Sequence, residues 1–81
     1  MKKYVAVFRS RTDVLCFIDD MKKFGGYAKA ISTPKEAKIG CGISAEISVL
    51  GVQLAKKLIK IKRYPSFHAL FIVDKKSVRI I

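Results

Sequence analysis

Apolar and polar positions follow two different periods along this chain, and the changes of period mark its elements. Tyr4-Val5-Ala6-Val7-Phe8 is an aromatic and β-branched run that predicts a buried first strand. The spacing then changes. Val14, Phe17, Ile18, Met21 and Phe24 recur at steps of three and four, with Asp13, Asp19, Asp20, Lys22 and Lys23 largely on the other side, which predicts an amphipathic helix. Ser10 or Thr12 is placed to cap its start. Asp13 suits the positive end of the helix dipole, Lys22 and Lys23 suit the negative end, and Gly25 is a natural left-handed stop.

Tyr27 to Ile31 reads as a short second strand whose lysine suggests a sheet edge. Ile43-Ser44-Ala45-Glu46-Ile47 alternates apolar with polar residues and is the clearest half-buried strand. Ser48 is placed to cap a second helix with Leu50, Leu54, Leu58 and Ile61 at helical spacing and Lys56, Lys57, Lys60 and Arg63 over the rest. Pro65 ends that pattern, and Phe67 to Val73 supplies a last strand. The order strand, helix, strand, strand, helix, strand, with right-handed crossovers, gives an α+β fold: a ferredoxin-like βαββαβ sandwich, four antiparallel strands with two helices on one face. The expectation is one domain over residues 1–81, with a core at 3–73 and a basic C-terminal tail at 74–81. The apolar tip of that tail, Val78, Ile80 and Ile81, either adds an edge strand or reaches a second copy.

Composition sets the scale. The 81 residues carry 17 Lys plus Arg against 6 Asp plus Glu, a formal charge of +11, while 51% of them are hydrophobic. Such a chain builds a core, but a small one, so a homodimer is a natural way to add stability. Two cysteines make no disulfide scaffold, no C-x-x-C or other metal-ligand spacing is present, and neither metal nor cofactor is expected. Five apolar residues before Arg9 are too few for a signal-peptide core, and no run approaches the ~20 a membrane span needs. The expectation is a cytoplasmic protein with free thiols and no membrane partner.

One segment carries chemistry. Ser32 to Gly42 is far longer than a hairpin needs, and long loops in compact domains are usually functional. Thr33, Pro34 and Glu36 form a capping box that starts a helical turn. Cys41 then stands between Gly40 and Gly42, whose missing side chains permit unusual backbone angles and leave the sulfur uncovered. Glycine-flanked N–H groups form an anion-holding nest, and Lys35 and Lys38 are close in sequence, so both favour the thiolate. At an ordinary pKa near 8.5 a thiol is about 3% ionised at pH 7, and lowering it by roughly two units makes it about three quarters ionised. Read from the residues alone, Gly-Cys-Gly is either this reactive thiol or a turn in which the cysteine is incidental.

From Tyr4 to Val73 the chain resembles the small selenium/sulfur (Se/S) carrier protein-like domains. They begin with a short strand, have a Thr-Pro element after the second strand and carry Cys-Gly entering the third, matched here by Thr33, Pro34, Cys41, Gly42 and Ile43. Lys38, Ile39 and Gly40 stand where that family has small, hydroxylated residues, and the basic tail is additional. The resemblance implies that Cys41 accepts sulfur or selenium, held as a persulfide or selenosulfide, and exchanges it between donor and acceptor proteins. It implies a carrier rather than a turnover enzyme. Cys16, near Phe17 and Val14, is expected to be a buried, unreactive core thiol.

The main alternative is a small basic module that binds nucleic acid or another polyanion without cysteine chemistry, through Lys56, Lys57, Lys60 and Arg63. An RNA-binding sheet of this topology needs exposed stacking aromatics on its central strands. Tyr4 and Phe8 are candidates on the first strand, but the third offers only Ile43, Ala45 and Ile47 or Ser44 and Glu46, so specific readout is not expected and nonspecific affinity is. No catalytic constellation is visible. His68 reads as a packed or edge strand residue, Asp19-Asp20 as a solvated, Lys-bridged helix surface, and neither Gly25-Gly26 nor Gly40-x-Gly42 as a phosphate loop.

Overall fold

The computed structural model describes residues 3–33, 42–73 and 78–80, the last three by their backbone. The elements are β1 (Lys3–Phe8), α1 (Arg11–Lys23), β2 (Ala28–Ser32), β3 (Ile43–Ile47), α2 (Val52–Lys62), β4 (Phe67–Val73) and β5 (Val78–Ile80). All pairings are antiparallel, and the strands lie in the order β2-β3-β1-β4-β5. Four of these strands and the two helices form the ferredoxin-like βαββαβ arrangement. β5 extends it by pairing Val78 with Val73 and Ile80 with Phe71, so the backbone at the apolar tip of the tail is an edge strand.

β1 is central, which is why it is apolar on both faces: Val5, Ala6, Val7 and Phe8 are all fully buried. Ala6 and Phe8 join Ala28, Ala45, Ile47 and Leu70 beneath the helices, packed by Val14, Phe17, Ile18 and Met21 of α1 and by Val52, Ala55 and Leu58 of α2. Val5 and Val7 join Ala69 and Phe71 in a second cluster on the other face, flanked by Ile31 and Val73. The β1–β4 register shifts between Val7, opposite Ala69, and Phe8, opposite Phe67. His68 is the extra residue of this irregularity, and its ring lies 6.2 Å from that of Phe71.

α1 ends in a Schellman turn. Gly25 adopts φ +81°, its N–H donates to the Lys22 carbonyl, and the Gly26 N–H donates to the Met21 carbonyl at 2.8 Å. At its start Ser10 is the N-cap residue but makes no side-chain capping bond. The Asp13 carboxylate instead accepts from the backbone N–H and hydroxyl of Ser66, fastening the first turn of α1 to the β4 approach.

The phase expected for the second helix is corrected. Leu50 is 92% exposed and Ile61 64%, while Val52, Ala55 and Leu58 are the buried positions. A 3-10 turn over Val49–Gly51, in which the Ser48 hydroxyl accepts from the Gly51 N–H, precedes α2 and takes Leu50 out of the helical register. Phe24 is corrected as well: it stands at the C-cap beyond the last turn of α1 and is 61% exposed.

Candidate functional site

β2 and β3 place the two ends of the predicted functional loop side by side. Beyond the last ladder pair, Ser32 opposite Ile43, the Thr33 N–H donates to the Gly42 carbonyl at 3.0 Å. Thr33 Oγ1 also lies 2.7 Å from Oγ of Ser44, which is fully buried and thereby satisfied. These bonds clamp the mouth of the loop to the sheet. Gly42 has φ +94°, the left-handed region that favours glycine, and a Cβ there would meet nothing within 4 Å. The glycine therefore answers a backbone need and not a lack of room. Pro34, Lys35, Lys38, Gly40 and Cys41, with Glu36 of the capping box, lie outside the described residues.

An aromatic cluster stiffens the same end of the sheet. Phe8 closes β1, and its ring centroid lies 5.3 Å from Phe17, 5.6 Å from Tyr64 and 5.5 Å from Phe67, with edge-on geometry to the last two. Ile43, the first residue of β3, packs against this core. Tyr4 and Phe8, the candidates for base stacking, both pack into the helix-side core, so β1 presents no exposed aromatic on the open face.

Asp20 overturns the expectation of a wholly solvated acidic pair. Asp19 does bridge to Lys23 at 3.2 Å on the surface, but Asp20 is buried, accepting from the Tyr64 hydroxyl at 2.6 Å and from Lys62 Nζ at 3.4 Å. Its pKa is held below the usual carboxylate value, first by the Tyr64 hydrogen bond and then by Lys62, against the opposing effect of burial. The Tyr64 phenol is pushed well above its ordinary value, by burial first and then by the Asp20 hydrogen bond. This trio joins α1 to the end of α2, and sequence periodicity missed it because its partners lie 42 and 44 residues from Asp20.

Cys16 is likewise corrected from buried to exposed. The buried stripe of α1 runs through Val14, Phe17, Ile18 and Met21, and Cys16 falls off it. Lys56, Lys57 and Lys60 are exposed on α2, with exposed Arg63 following as its left-handed C-cap at φ 49°. All four are exposed cations. Among the described residues no three His, Cys, Asp or Glu side chains come together as a metal site, and no helix is long and apolar enough to cross a membrane.

Comparison with known families finds a match. The family model described as Putative Se/S carrier protein-like fits residues 3–65, from the start of β1 through the turn after α2, including the whole loop between Thr33 and Gly42. No curated protein and no solved structure matches.

Proposed function

The chain belongs to the Se/S carrier protein-like family, and from that premise we propose that Cys41 carries one sulfur or selenium atom between partner proteins. The observation that carries this reading is the match itself, since its span encloses the Gly-Cys-Gly segment. The clamp at Thr33 and Gly42 supports it by tying the loop's two ends to a rigid sheet. In the proposed reaction the Cys41 thiolate attacks the outer chalcogen of a donor's persulfide or selenosulfide. The donor sulfur leaves with the bonding electron pair as a thiolate, and Cys41 holds the terminal atom with its proton. An acceptor thiolate then attacks that atom and Cys41 is released as a thiolate. The exchange has no net redox change and needs no second cysteine. Lys35 and Lys38 favour the thiolate electrostatically, with Thr33, Pro34, Gly40 and Gly42 shaping the loop. The role is that of a carrier, not a turnover enzyme.

Intact mass after incubation with a persulfide or selenosulfide donor tests this. The wild type and Cys16→Ser gain one chalcogen atom, and Cys41→Ser gains none. Because Cys16 is exposed, an adduct retained by Cys41→Ser and lost in Cys16→Ser would refute the assignment.

The exposed row Lys56, Lys57 and Lys60 with Arg63 favours a second reading, nonspecific polyanion binding. If it holds, Cys41→Ser binds single-stranded RNA as tightly as the wild type. Replacing the four cations with Gln then flattens the log–log salt dependence by about 0.7 for each phosphate that is no longer neutralised. An unchanged slope would refute it.

A further inference from the structure

A cleft of about 380 Å³ opens at the end of the sheet where Ala28 pairs with Ile47, the end opposite Thr33 and Gly42. Its walls are Phe24, Tyr27, Leu50 and Leu54, and its floor includes Gly26 and Gly51. Three of the wall side chains are strongly exposed: Leu50 at 92%, Phe24 at 61% and Tyr27 at 53%. A Cβ on Gly26 would lie 2.8 Å from Leu54 Cδ2 and 2.9 Å from Met21 Cε, so a side chain there would push the end of Leu54, a wall of the cleft, out of its place. The 3-10 turn fixed by Ser48 holds Leu50 outward at the rim instead of folding it into the core.

The surroundings of the cleft are mainly basic. Exposed Lys22 precedes Phe24 by two residues and exposed Lys57 lies one turn beyond Leu54, while Lys29 stands opposite Glu46 in the β2–β3 ladder and is set against that carboxylate. Asp19 and Asp20, the carboxylates nearest in sequence to Phe24, are engaged by Lys23 and by Tyr64 and Lys62. A second copy would bring another +11 to the same place, so charge opposes self-association through this face. We infer that the cleft is a docking site for an acidic amphipathic segment of a partner protein, whose apolar side chains fill it while its carboxylates meet the surrounding lysines. The site does not depend on Cys41, and a partner seated there leaves the opposite end of the sheet, with its loop mouth, open.

A designed helical peptide with Leu on one face and Glu on the other is the probe, titrated into the full-length, isotopically labelled chain. Saturable shifts are expected at Phe24, Tyr27, Leu50 and Leu54. Leu50→Asp should weaken binding at least about tenfold, while Arg9→Gln, beyond Phe8 at the opposite end of the sheet, changes it by less than about threefold. Backbone spectra outside the cleft report that Leu50→Asp is folded. The proposal is overturned if no saturable binding occurs, or if the same peptide with Ser for Leu binds as tightly, which would reduce the site to bulk electrostatics. It is equally overturned if the version with Lys for Glu binds as well, or if Leu50→Asp abolishes self-association of the free protein, which would make the occupant a second copy.

Discussion

Replacing Tyr64 by Phe removes one hydroxyl and leaves the ring against Phe8 and Phe17, so it isolates the bond to Asp20 from the packing around it. Tyr64 is 8% and Asp20 9% exposed, so the carboxylate has little water to turn to. A hydrogen bond to a charged group of this kind contributes about 1.5–3 kcal/mol. Lys62, at 3.4 Å with its side chain 46% exposed, recovers only a fraction. A loss of about 2 kcal/mol is roughly a quarter to a half of the stability ordinary for a domain this small, and lowers Tm by roughly 8–16 °C. The effect carries a pH signature. Because the folded state depresses the Asp20 pKa below 3.8, the unfolded chain takes up the proton first, and the carboxylate's contribution is complete above that value and lost as pH falls through the folded one. Tyr64 has the opposite sign: its raised pKa contributes stability that is complete below the ordinary 10.0 and is lost as pH climbs through the folded value. Thermal melts of both proteins should therefore differ most between about pH 5 and 9, with the gap narrowing as pH falls below 3.8. A Tm within about 2 °C of the parent at neutral pH, or an equally large gap in strong acid, would refute this account.

The corrected phase of α2 is checked by paired chemical denaturation. Leu50→Ser should change stability by less than about 0.5 kcal/mol, whereas Leu58→Ala, in the core, should cost about 2–5 kcal/mol. Comparable losses would restore the phase expected from sequence. Gly42→Ala meets no neighbour but must hold φ +94°, and should cost about 1–2 kcal/mol by the same measurement; no loss would mean that the backbone there relaxes freely.

The sheet was legible because its signals are local. The run Tyr4 to Phe8, the alternation from Ile43 to Ile47 and the stop at Gly25 each act within a few residues, and right-handed crossovers left few ways to order the strands. The exposure of Leu50 was not legible, because a single 3-10 turn between Ser48 and α2 shifts the helical phase without breaking the run of apolar residues. Asp20 failed for another reason: its partners, Lys62 and Tyr64, meet it only after the helices pack. Cys16 adjoins Phe17 in sequence but lies off the stripe of Val14, Phe17, Ile18 and Met21, and on a helix the stripe decides burial. At the candidate site, Thr33 and Gly42 were identified from turn chemistry and are found joined across the hairpin mouth. Pro34, Lys35, Lys38, Gly40 and Cys41 rest on sequence and family.

The register of β1 against β4 pairs Lys3 with Val73, so β1 is completed by a strand that is translated well after it. Until that strand clears the ribosome, Val5, Val7 and Phe8 lack their neighbours on one side, and the nascent polypeptide offers an open apolar ribbon to chaperones or to other unfinished copies. The matched family segment stops at residue 65, just short of β4. A fragment cut there would keep the loop cysteine and lose the strand that pairs with the whole length of β1.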